Sequence, residues 1–126
     1  MEGLILQDYK MYILVNQDIK ISKGKLGGQI GHAVAVLFWN LMNWTLDNGR
    51  LDDTLYTYMT TAQKKIILYA PEATLLELEA KGYITIRDKG LTELEPNTLT
   101  CVNIGLIDYN NFPEEFEWVK ELKLCH

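Results

Sequence analysis

The sequence predicts a single α/β domain in which helices cover both faces of a small β-sheet. Compact apolar runs, which suit strands buried on both faces, alternate with segments of helical spacing. The chain has 126 residues, near the commonest domain size, and is 48% hydrophobic and 23% charged. A chain of this length can bury a core without disulfide or metal crosslinks. We therefore treat residues 1–126 as one domain, with residues 1–10 as an N-terminal extension.

The first half of the chain is predicted as strand, helix, helix and strand. The run "MYILVNQ" (11–17) suits a buried strand, and helical spacing extends over residues 25–46. After a loop at 47–53, the segment "TLYTYMTTAQ" (54–63) is predicted as a second helix. The run "KKIILYA" (64–70) predicts another buried strand, and at least one strand pair is joined by a helical crossover.

The second half is predicted as a short helix, strands and a last helix. "PEATLLELEAKG" (71–82) has a proline near its start and a glycine at its end, as helices often do. The segment 83–105 suits three strands separated by turns at 88–90 and 96–97. The segment "PEEFEWVKELKL" (113–124) predicts a helix with one apolar face formed by Phe116, Val119 and Leu122.

Charge is unevenly distributed along the chain. The formal net charge is −5, yet residues 19–46 contain Lys20, Lys23 and Lys25 and no acidic residue. An acidic protein with one basic segment fits a local anion site better than a broad nucleic-acid-binding surface.

The sequence favours a cytoplasmic protein that does not contact membranes. The opening segment "MEGLILQDYK" has too short an apolar part for a signal peptide, and no apolar run approaches the length of a transmembrane helix. Cys101 and Cys125 do not suggest a disulfide framework, which favours a reducing compartment.

The helix predicted to begin near residue 25 has three distinct faces. Successive residues turn by about 100°, so Lys25, Gln29 and His32 share a stripe about 60° wide. Gly27 and Gly31 form a second strip, where the backbone can approach a neighbour closely. An apolar stripe lies apart from both and comprises Leu26, Ile30, Ala33 and Leu37.

Positive charge at the start of this helix predicts a phosphate or carboxylate site. Ser22 suits an N-cap, but Lys23 and Lys25 stand at the end of the helix dipole where cations are unfavourable. A bound anion would reverse that penalty. The same residue types suit solvated lysines and packing glycines equally well.

Most other chemistries lack their motifs. The only serine has no G-x-S-x-G around it, and His32 and His126 are the only histidines, with no H-E-x-x-H or C-x-x-C. We therefore expect no metal and no cofactor. Cys101 lies in an apolar strand pattern that indicates a core residue. Asp88 and Thr92, by themselves, suit a turn aspartate and a strand threonine.

Five segments, in this order, resemble the archaeal and eukaryotic type of peptidyl-tRNA hydrolase, often called type 2. They are "DIKISKGKLGGQIGHA" (18–33), "KIILYAP" (65–71), "DKGLT" (88–92), "PNTLTCVNIG" (96–105) and "VKELKL" (119–124). The resemblance implies a four-stranded mixed sheet with helices on both sides. It also implies hydrolysis, without a catalytic metal, of the ester that joins a peptide to the terminal ribose of tRNA.

The resemblance also implies the site residues. Those implied as catalytic are Lys25, His32, Asp88 and Thr92, and those implied as substrate-binding are Lys20, Lys23 and Gln29. Asp88 would orient or deprotonate the attacking water, and Lys25 would stabilise an oxyanion or a phosphate. The implied partner is the acceptor end of peptidyl-tRNA, and a homodimer is a further expectation. Aromatic residues for its surface, which suit a core equally well, are Trp39, Trp44, Tyr56 and Tyr58.

Departures from the family pattern leave other functions open. Gly27 and Gly28 replace two small residues that are usually alanine, and Lys89 replaces another alanine. A non-catalytic module that binds tRNA or a nucleotide is the alternative function. A regulatory interaction protein that uses residues 40–63 as its surface is a third.

Overall fold

The computed structural model describes residues 6–126 as one layered α/β unit. It contains four strands, three α-helices and two 3₁₀ helices within those residues. In chain order they are β1 (Tyr9–Asn16), α1 (Lys23–Asn48), α2 (Asp53–Met59), β2 (Lys64–Ala70), α3 (Glu72–Ala80), β3 (Ile84–Arg87), β4 (Leu99–Asp108) and the 3₁₀ helices Tyr109–Asn111 and Glu114–Glu121.

The four strands form one mixed sheet in the order β2-β1-β4-β3. β1 and β2 are parallel, and β4 is antiparallel to both β1 and β3. The α1–α2 segment makes the crossover between β1 and β2, and α3 crosses from β2 to β3. The predicted four-stranded mixed sheet is confirmed.

Helices pack on both faces of the sheet, as predicted. Successive residues of β1 point to opposite faces, and its second half is buried on both. On one face Met11 and Ile13 pack with Ala33 of α1 and Tyr58 of α2. On the other face strand residues pack with Leu75 and Leu78 of α3 and with Phe116 and Val119 of the second 3₁₀ helix.

Helix α1 is longer than the predicted 25–46 because both its ends are capped. The Ser22 hydroxyl accepts a hydrogen bond from the Lys25 N–H at 3.3 Å. At the other end Gly49 has a φ of 68°, and its N–H donates to the Thr45 carbonyl. The capped helix extends over 26 residues and carries functional residues near its start.

The prediction of three strands in 83–105 was wrong, because residues 88–98 form a loop. Asp88 closes this loop with two backbone hydrogen bonds: its N–H donates to the Thr98 carbonyl at 2.8 Å, and its carbonyl accepts from the Asn97 N–H at 2.6 Å. Inside the loop Gly90, with a φ of +76°, lies directly against Pro96. The chain therefore turns back from β3 to β4 without an intervening strand.

The last predicted helix is a 3₁₀ helix. Phe116, Val119 and Leu122 are spaced by three residues, which places them on one face of a helix with three residues per turn. Phe116 and Val119 are buried, as predicted. Residues 123–125 then pair with the free edge of β2, where the Tyr69 N–H donates to the Lys123 carbonyl at 2.9 Å.

Two further expectations concern the start of the chain and membranes. Residues 1–5 of the predicted extension lie outside the described residues, and residues 9 and 10 belong to β1. No helix within residues 6–126 combines the length and apolar character that crossing a bilayer needs.

Candidate active site

Lys25 and Asp88 form an ion pair at the carboxyl end of the parallel strands. Asp88 follows β3 directly, and Lys25 lies in the first turn of α1, just beyond β1. Lys25 Nζ is 2.6 Å from Asp88 Oδ1, and the two side chains are 18% and 4% exposed. Ligands in sheets of this kind bind at this end. Of the predicted site residues, these two form the shortest contact.

The Asp88 carboxylate is held in its charged form. The Lys25 ammonium keeps the pKa of Asp88 below its usual range, and the N–H groups of Gly90 and Lys89 act in the same direction, while burial opposes them. Gly90 N–H donates to Oδ2 at 2.8 Å, so both carboxylate oxygens have partners. An ionised carboxylate with little freedom to rotate is the result.

Arg87 fixes the strand end that carries Asp88. Its guanidinium donates to both carboxylate oxygens of Glu79 on α3, from Nε at 2.9 Å and from Nη2 at 2.7 Å. Nη1 also donates to the Asn97 carbonyl at 2.8 Å. A bidentate contact of this kind fixes the relative orientation of the guanidinium and the carboxylate as well as the distance between them. β3, α3 and the loop are thus held together next to Asp88.

Gln29 is buried behind the ion pair. Its Nε2 donates to Asp88 Oδ1 over a long 3.5 Å, and its Oε1 lies 3.1 Å from the Thr100 hydroxyl. That hydroxyl has one hydrogen and a second acceptor, the Ile86 carbonyl, at 2.9 Å. The stripe predicted on α1 therefore reaches the sheet through Gln29.

Thr100 is a site residue that the sequence did not indicate. Ile86 pairs with Cys101 and Arg87 with Leu99, so Thr100 is the extra residue of a β-bulge in β4. A bulge changes the direction of a side chain, and here it turns Thr100 toward α1. In the sequence Thr100 reads as an ordinary strand threonine, and only the pairing register reveals the bulge.

An open groove of about 560 Å³ lies over the ion pair. Lys25, Gln29, His32 and Asp88 line it, and His32 is exposed on the α1 side. Apolar side chains complete the walls, among them Val36, Ile86 and Leu91. The predicted stripe of Lys25, Gln29 and His32 faces this one groove.

Thr92 and the two remaining lysines lie elsewhere. Thr92 is exposed in the 88–98 loop and is not among the residues that line the groove, so its catalytic role stays a prediction. Lys20 and Lys23 line a different groove, on the other side of the α1 N-terminus from Lys25. Neither Lys20 nor Lys23 takes part in the Lys25–Asp88 ion pair.

The carboxylate at the α1 N-terminus comes from the chain itself. Glu93 accepts hydrogen bonds from the Ser22 N–H at 2.8 Å and from the Ser22 hydroxyl at 2.6 Å. These bonds lower the pKa of Glu93. The sequence predicted an anion at this helix end but not that Glu93 of the loop would provide it.

The glycines of α1 do not pack closely against any other element within residues 6–126. Apart from its chain neighbours and the adjacent backbone of α1, a Cβ at Gly24, Gly27, Gly28 or Gly31 would have no described heavy atom within 4 Å, and all four residues are exposed. The close approach predicted for Gly27 and Gly31 is therefore not made by any described residue. The glycines leave bare backbone on the outer side of α1.

Among the residues that the structure describes, neither a nucleophilic thiol nor a cluster of metal ligands accompanies the ion pair. Cys101 is buried, and burial raises its pKa to about 11, which confirms its assignment to the core. Within residues 6–126, no group of three or more His, Cys, Asp or Glu side chains stands close enough to hold a metal ion. The groups present are an ionised carboxylate, an ammonium and an open, partly apolar groove.

Comparisons with known proteins show the family of the chain. The family described as "Peptidyl-tRNA hydrolase PTH2" matches residues 9–125. Among relatives named "Peptidyl-tRNA hydrolase", that of Saccharolobus islandicus is 36% identical over 103 residues, 76% of this chain and 84% of the relative. That of Saccharolobus solfataricus has the same identity and coverage, and that of Sulfurisphaera tokodaii is 32% identical with equal coverage. The chain belongs to the PTH2 family of peptidyl-tRNA hydrolases.

Proposed function

We propose that this chain hydrolyses the ester between the peptide and the terminal ribose of peptidyl-tRNA, without a catalytic metal. The observation that carries the proposal is the Lys25–Asp88 pair, with a buried carboxylate and a partly buried ammonium, which lines an open groove in a member of the PTH2 family. The apolar wall of Val36, Ile86 and Leu91 suits the peptide side of the ester. The proposed substrate is produced in translation, so the proposed location is the cytoplasm.

In the proposed reaction a water oxygen attacks the ester carbonyl, and negative charge moves to the carbonyl oxygen. The Lys25 ammonium stabilises this oxyanion. The C–O bond to the ribose then breaks, and the ribose oxygen leaves as a hydroxyl after taking up a proton. The water molecule is consumed: one of its protons passes to the ribose oxygen, and the other is released to solvent when the peptide's new carboxyl group ionises.

Asp88 suits an orienting role better than that of a general base. A general base works best when its pKa is near the working pH, whereas the pKa of Asp88 is below its usual range. In the proposed mechanism its carboxylate fixes Lys25 and positions the attacking water. Gln29, which Thr100 contacts on its other side, donates to the carboxylate from behind. His32, on the groove wall, positions the substrate.

Hydrolysis of an N-blocked aminoacyl-tRNA in the presence of EDTA tests the proposal. We expect the wild type to release the blocked amino acid, and Lys25→Ala and Asp88→Asn to lose about two orders of magnitude in kcat. Lys81→Ala is the matched control, because Lys81 is an exposed lysine just after α3. Circular dichroism establishes that all variants remain folded.

The same experiment separates the alternative functions. A folded wild type that binds tRNA in a Lys25-dependent manner but releases no product would indicate a non-catalytic binding module. Substitutions within residues 40–63 that change function more than Lys25→Ala does would indicate a regulatory interaction protein. Activity that disappears with EDTA would contradict metal independence.

A homodimer through the outer face of α1 is also proposed. Trp39, Met42 and Leu46 lie within about 60° of one another on this face, and Trp39 is 62% and Leu46 74% exposed. Exposed apolar stripes of this kind mark interaction surfaces. Of the aromatic residues named from the sequence, Tyr58 is fully buried and donates to the Lys64 carbonyl, so it belongs to the core.

Light scattering of the eluting protein measures the oligomeric state. We expect a mass of two chains for the wild type and of one chain for a Trp39→Glu, Leu46→Glu variant. A single-chain mass for the wild type at 100 times the assay concentration would contradict the dimer.

A further inference from the structure

A second groove, of about 770 Å³, lies across the α1 N-terminus from the Lys25–Asp88 groove. Its floor is formed where two parallel strands end, by Val15 and Asn16 of β1 and by Tyr69 of β2. Lys20 and Lys23, which take no part in the ion pair, line its wall. The proposed reaction uses none of these residues.

The position of this groove in the topology is that of a ligand site. From β1 the chain crosses to β2 through α1, and from β2 it crosses in the opposite direction through α3 to β3. Both crossovers between parallel strands are expected to be right-handed, so α1 and α3 pack on opposite faces. A crevice opens between the carboxyl ends of β1 and β2, and open α/β sheets bind their ligands at this point.

The groove is positively charged. Lys20, Lys23 and Lys123 line it, and Glu121 is the opposing charge among the lining residues. None of the three lysines forms a salt bridge with another residue of the described range 6–126. Their ammonium groups are therefore available to a phosphate.

The N-termini of α1 and α3, which lie at this edge of the sheet, already have carboxylate partners. Glu93 accepts from Ser22 at the start of α1, and Asp18 accepts from the Glu72 N–H at the start of α3, at 2.8 Å. An added anion would accordingly bind to the lysines rather than to a helix N-terminus. This places the ligand's charge on the wall of the groove.

The groove also offers a stacking surface. The Tyr69 and His126 rings lie edge to face with centroids 6.3 Å apart, and the Tyr69 hydroxyl donates to the His126 carbonyl at 3.3 Å. Ile19, Ile21 and Leu26 add apolar contacts nearby. Aromatic rings beside a basic wall are the means by which proteins bind single-stranded nucleic acid, with bases stacked and phosphates neutralised.

We propose that this groove binds a nucleotide of the single-stranded 3′ end of tRNA, upstream of the ribose whose ester is cleaved. The phosphate contacts Lys20, Lys23 and Lys123, and the base stacks on Tyr69 and His126. This assignment rests on the proposed function. The two grooves are separated by the N-terminal turns of one helix, whose diameter with side chains is about 10–12 Å. The strand crosses α1 over its exposed glycines, which leave its backbone bare.

The test is a titration of ¹⁵N-labelled protein with the 5′-phosphorylated trinucleotide CCA, followed by amide chemical shifts. CMP and inorganic phosphate are titrated in parallel, to separate a nucleotide strand from a free mononucleotide and from a free anion. We expect the trinucleotide to shift Tyr69 and Lys123 together with Gly27 and Gly28, at concentrations where CMP and phosphate do not.

Variants measure how much the lysines and the aromatic ring contribute to trinucleotide binding. A Lys20→Ala, Lys23→Ala double variant should weaken trinucleotide binding about tenfold and make the salt dependence, log K against log[salt], shallower by about 1.4, or 0.7 for each lysine. His126→Ala should weaken binding about fivefold or more. Lys81→Ala should bind as the wild type does.

Hydrolysis kinetics keep this proposal separate from the proposed function. We expect the double variant to raise KM for N-blocked aminoacyl-tRNA and to leave kcat unchanged. The groove assignment is overturned and the proposed function stands if the wild type hydrolyses the substrate, the double variant leaves KM unchanged and the trinucleotide does not shift the amide signals of the groove. If the wild type does not hydrolyse but the trinucleotide shifts the groove, the function fails and the groove assignment stands. Equal shifts from phosphate alone would overturn the assignment.

Discussion

Gly90 determines how closely the 88–98 loop can fold over the ion pair. Its φ of +76° is in the left-handed region, which favours glycine. A Cβ at this position would lie 2.6 Å from Pro96 Cγ and 2.7 Å from Pro96 Cα and N. An alanine here would therefore have an unfavourable backbone conformation and would also overlap a proline whose ring and backbone move little.

These two costs can be separated with a matched glycine. The left-handed conformation costs about 1–2 kcal/mol for a residue with a Cβ, and overpacking adds about 1–3 kcal/mol. We expect Gly90→Ala to lower the free energy of unfolding by about 2–5 kcal/mol. Gly82 has a φ of +92°, and beyond its chain neighbours no heavy atom of the described residues lies within 4 Å of its Cβ position. Gly82→Ala should carry only the cost of the left-handed conformation and lower the free energy of unfolding by about 1–2 kcal/mol.

Urea denaturation followed by circular dichroism measures both values, since a domain of this size usually unfolds in one step. Activity gives a second readout. The Gly90 N–H donates to Asp88 Oδ2, so a displaced loop should reduce hydrolysis in Gly90→Ala and not in Gly82→Ala. Equal destabilisation by the two substitutions would refute the argument that Pro96 limits the loop.

Three further predictions concern the buried groups of the site. Thr100→Val removes the hydroxyl that faces Gln29 Oε1 and should lower the free energy of unfolding by about 1–3 kcal/mol, measured in urea. Because the pKa of Asp88 is lowered, its pair with Lys25 stabilises the fold fully above the ordinary aspartate pKa of about 3.9, and this stability is lost as pH falls through the lowered pKa. The unfolding midpoint, measured as a function of pH, should lose this decrease at acidic pH in Asp88→Asn. An Asp88→Asn profile identical to that of the wild type would contradict the pairing. The Cys101 thiol, with a pKa near 11, should resist a thiol reagent at pH 8 in the native protein and react once the chain is unfolded in guanidinium.

The shared face of Lys25, Gln29 and His32 was predictable because helix geometry relates residues three and four apart without reference to the rest of the fold. The ion pair was not predictable in that way. Lys25 and Asp88 come from elements far apart in sequence, and only the resemblance brought them together. The structure then supplied the contact between them.

Errors arose where one pattern fits two structures. Residues 91–95 were predicted as a strand because they lie between two turn signals, but the contact of Gly90 with Pro96 folds them into a loop. A spacing of three residues at Phe116 and Val119 suits both an α-helix and a 3₁₀ helix. Thr100 was overlooked because a bulge depends on pairing between strands, which a single sequence does not contain.

The pairing of residues 123–125 with β2 has a consequence for assembly. A free sheet edge presents unpaired N–H and C=O groups on which another strand can add, and this is a common route to aggregation. Here the C-terminal segment occupies the β2 edge, with the Cys125 N–H donating to the Ile67 carbonyl at 2.9 Å, and β3 at the opposite edge has only four residues. The sheet therefore cannot extend into another molecule at the β2 edge, and the β3 edge offers only a short strand for pairing. Removing residues 123–126 would expose a seven-residue strand edge, and we expect such a chain to form fibrils that bind thioflavin T.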